Sequence, residues 1–352
     1  MKKSFDIDSI VRHNIRVLKP YRSARDDFDS GILLDANENS FGSPVKNDMD
    51  LHRYPMPHQE ELRSKIAEFR KVDLANTFVG VGSDEAIDLL FRIFCSPGKD
   101  KVIINPPTYG MYKVSANINN VRVDEVLLTP DFQLQTEKIF NRITDFTKLI
   151  FVCSPNNPTA NKINKEAVIN LLENFDGLVV VDEAYIDFSD QESFAESVKE
   201  YPNLVVLQTL SKAFGLAGIR LGIAIANPKI INYMMKVKAP YNVNKLTSDI
   251  AIKSFHQLDA VKENIEKIKK EKLRISGALE MLDGVEKVFP SDANFLLFKT
   301  NNALEVYKKL AESGVIIRYR GNEPHCEDCL RITIGTPEEN DQFLKNLSSI
   351  LK

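Results

Sequence analysis

The sequence predicts an α/β protein: a large α/β/α domain with a mainly parallel sheet, plus a smaller α+β domain. Three observations predict it. Between Thr77 and Ala226, short apolar runs alternate with segments of helical period, the pattern of strand–helix–strand units. Runs such as Leu178-Val179-Val180-Val181 are apolar at every position, as strands buried on both faces are. Ser83, Tyr109, Asn157, Asp182 and Lys212 each fall just past such a run, on the edge where open α/β sheets bind their ligands.

In chain order, residues 1–59 read as an extended arm and part of the small domain, rich in Pro and Asn towards their end. Tyr21 and Tyr54, each beside a proline, suggest docking. Leu62, Ile66 and Phe69 recur at helical spacing. Thr77-Phe78-Val79-Gly80-Val81 predicts a strand running into Gly82-Ser83-Asp84-Glu85 and a helix through Phe94, with Ser83 or a neighbour as its cap. A glycine-ended strand entering a helix suits an anion; a plain βα turn fits it as well. Strands follow at 101–104, 121–128, 149–154, 178–181, 204–207 and 221–226, with helices to about 118, over 137–143 and over 165–174. From Pro228 the pattern is helical, and a long helix over 263–282 is the expected connector into the second domain. Strands at 285–288, 294–298, 315–319 and 330–334 and helices at 303–313 and 338–351 complete it. The expected division is therefore 1–59, a large domain over 60–262 and a small C-terminal domain over 263–352.

The 352 residues are 43% hydrophobic and 27% charged, the composition of an ordinary globular protein. A net charge of −3 gives no basic excess to hold nucleic acid or an anionic membrane. No apolar run is long enough to span a bilayer, and the first residues lack the apolar region of a signal peptide. Four cysteines make no disulfide scaffold, so the expected location is the reducing cytoplasm.

The chemistry centres on Gln208-Thr209-Leu210-Ser211-Lys212-Ala213-Phe214-Gly215-Leu216-Ala217-Gly218-Ile219-Arg220-Leu221-Gly222. Lys212 stands between two buried segments, and burial favours its neutral, nucleophilic form. Such lysines form Schiff bases with carbonyls and with pyridoxal phosphate. Thr209 and Ser211 offer hydroxyls, Arg220 offers a fork for phosphate oxygens, and the glycines allow close approach. Asp182 closes an apolar strand, where a carboxylate is costly unless paired. A protonated pyridine nitrogen is such a partner. Tyr185 and Asn157 suit the ring's phenolic oxygen, and Tyr109 can stack on the ring. Each residue alone fits a turn or a cap equally; the set decides.

Ser154-Pro155-Asn156-Asn157-Pro158-Thr159, Asp182-Glu183-Ala184-Tyr185 and the segment from Ser211 to Gly222 resemble the class I/II aminotransferases of pyridoxal-phosphate (PLP) fold type I, in order and spacing. Leu34-Asp35-Ala36-Asn37-Glu38-Asn39, Arg53-Tyr54-Pro55 and Leu330-Arg331-Ile332-Thr333-Ile334-Gly335-Thr336 resemble the branch that moves an amino group between histidinol phosphate and 2-oxoglutarate, forming glutamate. The resemblance implies that Lys212 is the Schiff-base lysine and proton shuttle. It pairs Asp182 with the pyridine nitrogen and Asn157 and Tyr185 with the phenolic oxygen. The phosphate falls to the Ser83 and Asp84 amides, Thr209 or Ser211, and Arg220, with Tyr54 arriving from a second subunit of a homodimer. One departure is Ala160, where the family usually has glycine.

Histidinol phosphate carries a phosphate where glutamate carries its α-carboxylate, so one anion site must accept both, and guanidinium forks do this well. The resemblance places Arg331 and Arg318 there, with Tyr21 and Asn37 nearby; two surface arginines on edge strands are the alternative. Arg320 reads as a solvated neighbour. His325-Cys326-Glu327-Asp328-Cys329 lacks a full set of zinc ligands, so no metal is expected, and the run 267–272 reads as a solvated helix face. Three rival readings are a threonine-phosphate decarboxylase-like lyase, an aromatic amino-acid aminotransferase, and a regulator with an aminotransferase-like sensor; the last lacks a basic helical N-terminal segment.

Overall fold

The structure, a computed structural model, describes residues 5–28, 30–45 and 48–352. Its larger sheet holds β1 (Thr77–Val81), β2 (Lys101–Ile104), β3 (Arg122–Glu125), β4 (Thr147–Cys153), β5 (Leu178–Asp182), β6 (Leu204–Thr209) and β7 (Leu221–Ala226). The strand order is β1-β7-β6-β5-β4-β2-β3. The pairings from β3 to β6 are parallel, and β7 runs antiparallel to both β6 and β1.

The apolar runs separate by parity, because successive strand side chains point to opposite faces. Val179, Val181, Leu204 and Val206 enter one core with Leu62 and Ile66 of α2 (Glu60–Arg70), Val168 and Leu171 of α6 (Lys165–Asn174) and Phe255 of α8 (Lys245–Phe255). Leu178, Val180, Val205 and Leu207 enter the other with α3 (Gly82–Phe94), Tyr112 of α4 (Met111–Ile118) and Ile230 and Met234 of α7 (Pro228–Val237). Ile15 of α1 (His13–Arg16) and Ile7, Ile10 and Val11 before it join this second core, so the start of the chain packs on the large sheet. A short α5 (Thr136–Phe140) adds Ile139 to the first. Helix starts follow their capping residues: Asn164, Asn227 and Asn244 each accept a backbone N–H in the first turn that follows them.

Residues 18–58 carry no α-helix or strand among those described. Buried charge organises them instead. Glu38 accepts from Arg25 at 2.6 Å, from Arg53 at 2.8 Å and from the Tyr54 N–H at 2.6 Å. These donors hold its pKa at about 2 against the opposing effect of desolvation.

α9 (Leu258–Glu280) begins earlier than its pattern predicts and leads into a second, antiparallel sheet of order β10-β11-β9-β8. This sheet comprises β8 (Val285–Val288), β9 (Phe295–Thr300), β10 (Arg318–Tyr319) and β11 (Cys329–Thr333), covered by α10 (Ala303–Glu312) and α11 (Pro337–Leu351). The strand predicted over 315–319 contracts to its last two residues. It is an edge strand, and Ile316 is exposed rather than packed. The helix face expected to be solvated is broken by Lys272, which is buried and donates to the carbonyls of Ser291 at 2.7 Å and Ala293 at 2.8 Å. Where the two sheets meet, Tyr185 and Ala213 of the large one pack with Ile265, Ala293 and Phe295.

One close approach fixes the entrance to α3. Gly222 of β7 lies so near the first turn that a Cβ there would overlap the Gly82 carbonyl group and the Ser83 amide nitrogen. The Gly82 N–H donates to the Arg220 carbonyl at 2.7 Å. A side chain at position 222 has only backbone to displace, so Gly222→Ala is expected to destabilise the fold by at least about 2 kcal/mol. Urea unfolding should show a lower midpoint at an unchanged slope.

Candidate active site

The carboxyl ends of β4, β5 and β6 and the first turn of α3 open onto a cavity of about 520 Å³. Ser83, Asp84, Tyr109, Asn157, Asp182, Tyr185, Thr209, Ser211, Lys212 and Arg220 line it from the large sheet, and Arg318 and Arg331 line it from the small one. Tyr21, Asn37 and Tyr54 lie outside it within the chain. Tyr21 is exposed, Asn37 sits at φ +54° beside Glu38, and half-exposed Tyr54 stacks on Tyr241 with ring centres 4.7 Å apart.

Asp182 is the last residue of β5 and is only 3% exposed. Tyr112 donates its hydroxyl to Oδ2 at 2.7 Å, and the Ala184 N–H donates to Oδ1 at 3.1 Å. Burial pushes the Asp182 pKa up to about 6, opposed by these two donors and, more weakly, by Lys212. Tyr112 is itself wholly buried and its pKa is raised well above normal, first by desolvation and then by Asp182, so it stays protonated and keeps donating. Sequence reasoning missed Tyr112. Its signal was its place three residues after Tyr109, which puts both rings on one side of a helix start. The rings meet edge to face, 5.6 Å apart.

Lys212 lies in the loop after β6, its Nζ 5.5 Å from the Tyr185 ring centre. Desolvation lowers its pKa, nearby Arg331 lowers it further, and Asp182 opposes them. Burial likewise raises the pKa of the Tyr185 hydroxyl and keeps it protonated. Tyr185 is fixed edge-on against Phe295 of the small sheet, ring centres 5.1 Å apart.

The phosphate end is built around α3. Val81 precedes its first turn, and no side-chain cap closes it, so the expected capping role of Ser83 is not met. The helix start faces the cavity with Gly82, Ser83 and Asp84. A Cβ on Gly82 would approach Arg220 Nη2 to 2.8 Å, so the glycine keeps that cradle open. Arg220 stands at φ +55°, and its Nη2 lies 3.4 Å from Asp84 Oδ2. Asp84 Oδ1 accepts from the Tyr109 hydroxyl at 3.0 Å, so Asp84 contributes a positioning carboxylate besides its amide. Ser211 N–H donates to Thr209 Oγ1 at 3.1 Å, and Thr209 Oγ1 donates to the Leu221 carbonyl at 2.8 Å.

The other end is cationic. Arg331 Nη1 donates to Asn157 Oδ1, tying the small sheet to the loop after β4. Burial, with Arg320 beside it, holds Arg331 down to about 10. Arg320 also lines the cavity, with its side chain only 17% exposed, which corrects the solvated reading. Ala160 holds the turn at φ +68° although it is not glycine. Its N–H donates to the Asn156 carbonyl and its carbonyl accepts from Asp292, each at 2.8 Å.

These residues fit pyridoxal phosphate. A buried carboxylate with no cationic hydrogen-bond partner among the described residues faces the cavity, a desolvated amine shares it, and a helix start with an arginine and two hydroxyls closes one end.

Residues 29–347 match aminotransferase class I and II. The chain belongs to the class I and II aminotransferases. It is 50% identical to the histidinol-phosphate aminotransferase of Flavobacterium johnsoniae over 98% of each chain. Among solved structures, the histidinol-phosphate aminotransferase from Clostridium acetobutylicum superposes with a TM-score of 0.79 at 27% identity, covering 86% of this chain and 91% of that one. The L-threonine-O-3-phosphate decarboxylase from Porphyromonas gingivalis gives 0.72 at 25% identity, covering 86% and 91%. The aminotransferase fold thus accounts for the mainly parallel sheet and for the edge on which the site sits.

The raised pKa of Asp182 carries a stability consequence in the ligand-free protein. The folded state holds the proton more tightly than the unfolded chain, whose carboxyl titrates near 3.8. Unfolding free energy therefore falls as pH rises from about 4 to about 6, by about 3 kcal/mol from this group. Asp182→Asn removes this component, so denaturant unfolding of wild type and variant across that window should give a difference that changes by about this amount.

Proposed function

We propose that this aminotransferase uses pyridoxal phosphate to move the amino group of L-histidinol phosphate to 2-oxoglutarate, giving imidazole-acetol phosphate and L-glutamate, a step of histidine biosynthesis. The observation that carries the reading is one cavity lined by Lys212 and Asp182 together with Arg318 and Arg331. The 50% identity to a histidinol-phosphate aminotransferase across nearly the whole chain supports it over the lyase and aromatic alternatives.

When bound, the cofactor supplies an electron-poor ring that draws electron density from the substrate's amino-bearing carbon. Asp182 holds the proton of the ring nitrogen, and Tyr112 holds Asp182. Lys212, biased to the neutral amine by desolvation and Arg331, would take the proton from that carbon and deliver it to the cofactor's C4′ within the same half-reaction, and would carry it the opposite way in the second. Tyr185 and Asn157 orient the phenolic oxygen, Tyr109 stacks on the ring, and Ser83, Asp84, Thr209, Ser211 and Arg220 hold the phosphate. Arg331 and Arg318 take the substrate anion, phosphate in one half-reaction and carboxylate in the other, with Tyr21 and Asn37 nearby.

The arm supports a homodimer. Tyr21, Phe28, Ile32, Leu34, Phe41 and Met56 are exposed within one stretch of the chain, and large apolar side chains exposed together are what an interface uses. A second copy covers it and brings Tyr54 to the phosphate. The working division is an arm over 1–59, whose start packs on the large sheet and not with the small domain as expected, the cofactor domain over 60–262 and the small domain over 263–352. The proposed location is the cytoplasm; among the described residues no helix is long and apolar enough to cross a membrane.

Histidinol phosphate added to the cofactor-loaded, yellow protein should convert its absorbance to that of the pyridoxamine form. A response to phenylalanine but not to histidinol phosphate would reassign the substrate. Lys212→Ala is expected to lower turnover at least about a thousandfold with an unchanged circular-dichroism spectrum; near-normal turnover refutes the assignment. Sedimentation should give twice the mass of one chain.

A further inference from the structure

We propose that Arg320 makes the substrate-anion site selective for a dianionic phosphate monoester over a carboxylate. The inference rests on the phosphate-ester reading given above and adds to it a residue outside the Arg318–Arg331 pair.

The side chain has the attributes of a ligand group rather than of a structural one. Arg63, which serves the fold, donates to the carbonyls of Thr77 at 2.9 Å, Leu74 at 3.1 Å and His58 at 3.3 Å. Arg320 faces the cavity. Its Nε is buried without a hydrogen-bond partner among the described residues, as are those of Arg331, Arg25 and Arg70, but Arg25 and Arg70 each hold a carboxylate at hydrogen-bond length, Glu38 at 2.6 Å and Asp187 at 2.8 Å. Its nearest carboxylate, Glu323, stands 3.9 Å away, beyond hydrogen-bond length. A buried guanidinium left this incompletely matched is costly unless a ligand completes it.

Charge balance indicates which ligand. At this end of the cavity Arg318, Arg320 and Arg331 face one another with Glu323 as the carboxylate among them. Lys212 and Tyr185 line the same space, and the Cys326 thiol stands behind Arg320. Arg318 and Arg320 each depress a neighbour's pKa by repulsion, Arg318 acting on Arg320 and Arg320 on Arg331. A carboxylate carries one charge, which one fork satisfies. A phosphate monoester above its second ionisation carries two charges and three acceptor oxygens. The third guanidinium is in excess for glutamate and matched for the ester. Glu323 tempers this excess.

The test uses cofactor-loaded wild type, Arg320→Gln, Arg320→Lys and Glu323→Gln, with KM measured separately for histidinol phosphate and glutamate from pH 5.5 to 8. In wild type the KM for the ester should fall with rising pH through about 6, where the second phosphate proton leaves. In Arg320→Gln that fall should flatten, and the ratio of the ester KM to the glutamate KM should rise about tenfold or more. Arg320→Lys, which keeps the charge, should restore most of the pH response. Glu323→Gln should move the ratio the opposite way. A ratio unmoved in both Arg320→Gln and Glu323→Gln, or a pH response retained without the guanidinium, overturns the inference while leaving the functional reading intact. Wild type that does not turn over histidinol phosphate overturns both, and that outcome is read before any variant is compared.

Discussion

The structure depends on a carboxylate that is almost fully buried at the floor of the cavity. Asp182 ends a strand whose other residues are all buried, and its hydrogen bonds come from one phenol and one amide, neither charged. Such a group in a sheet interior is a liability to folding and an asset to chemistry, because it attracts a cation strongly in a low-dielectric setting. The surroundings follow from that. Tyr112 is kept protonated by the same burial that raises Asp182, so the donor cannot be lost near neutral pH. Lys212 shares the cavity, and desolvation there shifts its amine towards the uncharged form as well.

Much of this was legible in the sequence, and the reasons are physical. Strands buried on both faces read as unbroken apolar runs, so the central strands of the large sheet could be placed, whereas the exposed edge strand β3 was expected over 121–128 and spans only Arg122–Glu125; the polar residues interrupting the runs marked the working edge. Asp182, Lys212, Asn157 and Arg220 stood out because each is expensive or unusual where it falls. Tyr112 did not, because a tyrosine on a half-apolar helix looks like core until its hydroxyl partner is known, and that partner is 70 residues away. Arg320 was hidden by its place just past a two-residue edge strand, where no apolar run marks the side chain as buried. The predicted serine cap failed for a related reason. Strand β7 approaches α3 too closely for a conventional cap, and a pairing between distant segments leaves no local trace.

The two sheets are joined through the site rather than beside it. Tyr185 packs on Phe295, Arg331 reaches Asn157, and Asp292 donates to Ala160. Substrate-facing and cofactor-facing groups are therefore parts of one contact network, which explains why Ala160 is held in a left-handed conformation that its side chain disfavours. Hydrogen bonds on both sides of that residue over-determine it.

Lys272 gives the arrangement its register. An ammonium sunk between two carbonyls cannot be carried along when its helix slides by a turn or rolls about its axis, since either movement would strand the charge in apolar surroundings. The long helix is in this sense pinned rather than merely packed. The strand that follows Ser291 and Ala293, and the sheet that bears the arginines, inherit from those two hydrogen bonds a fixed starting point.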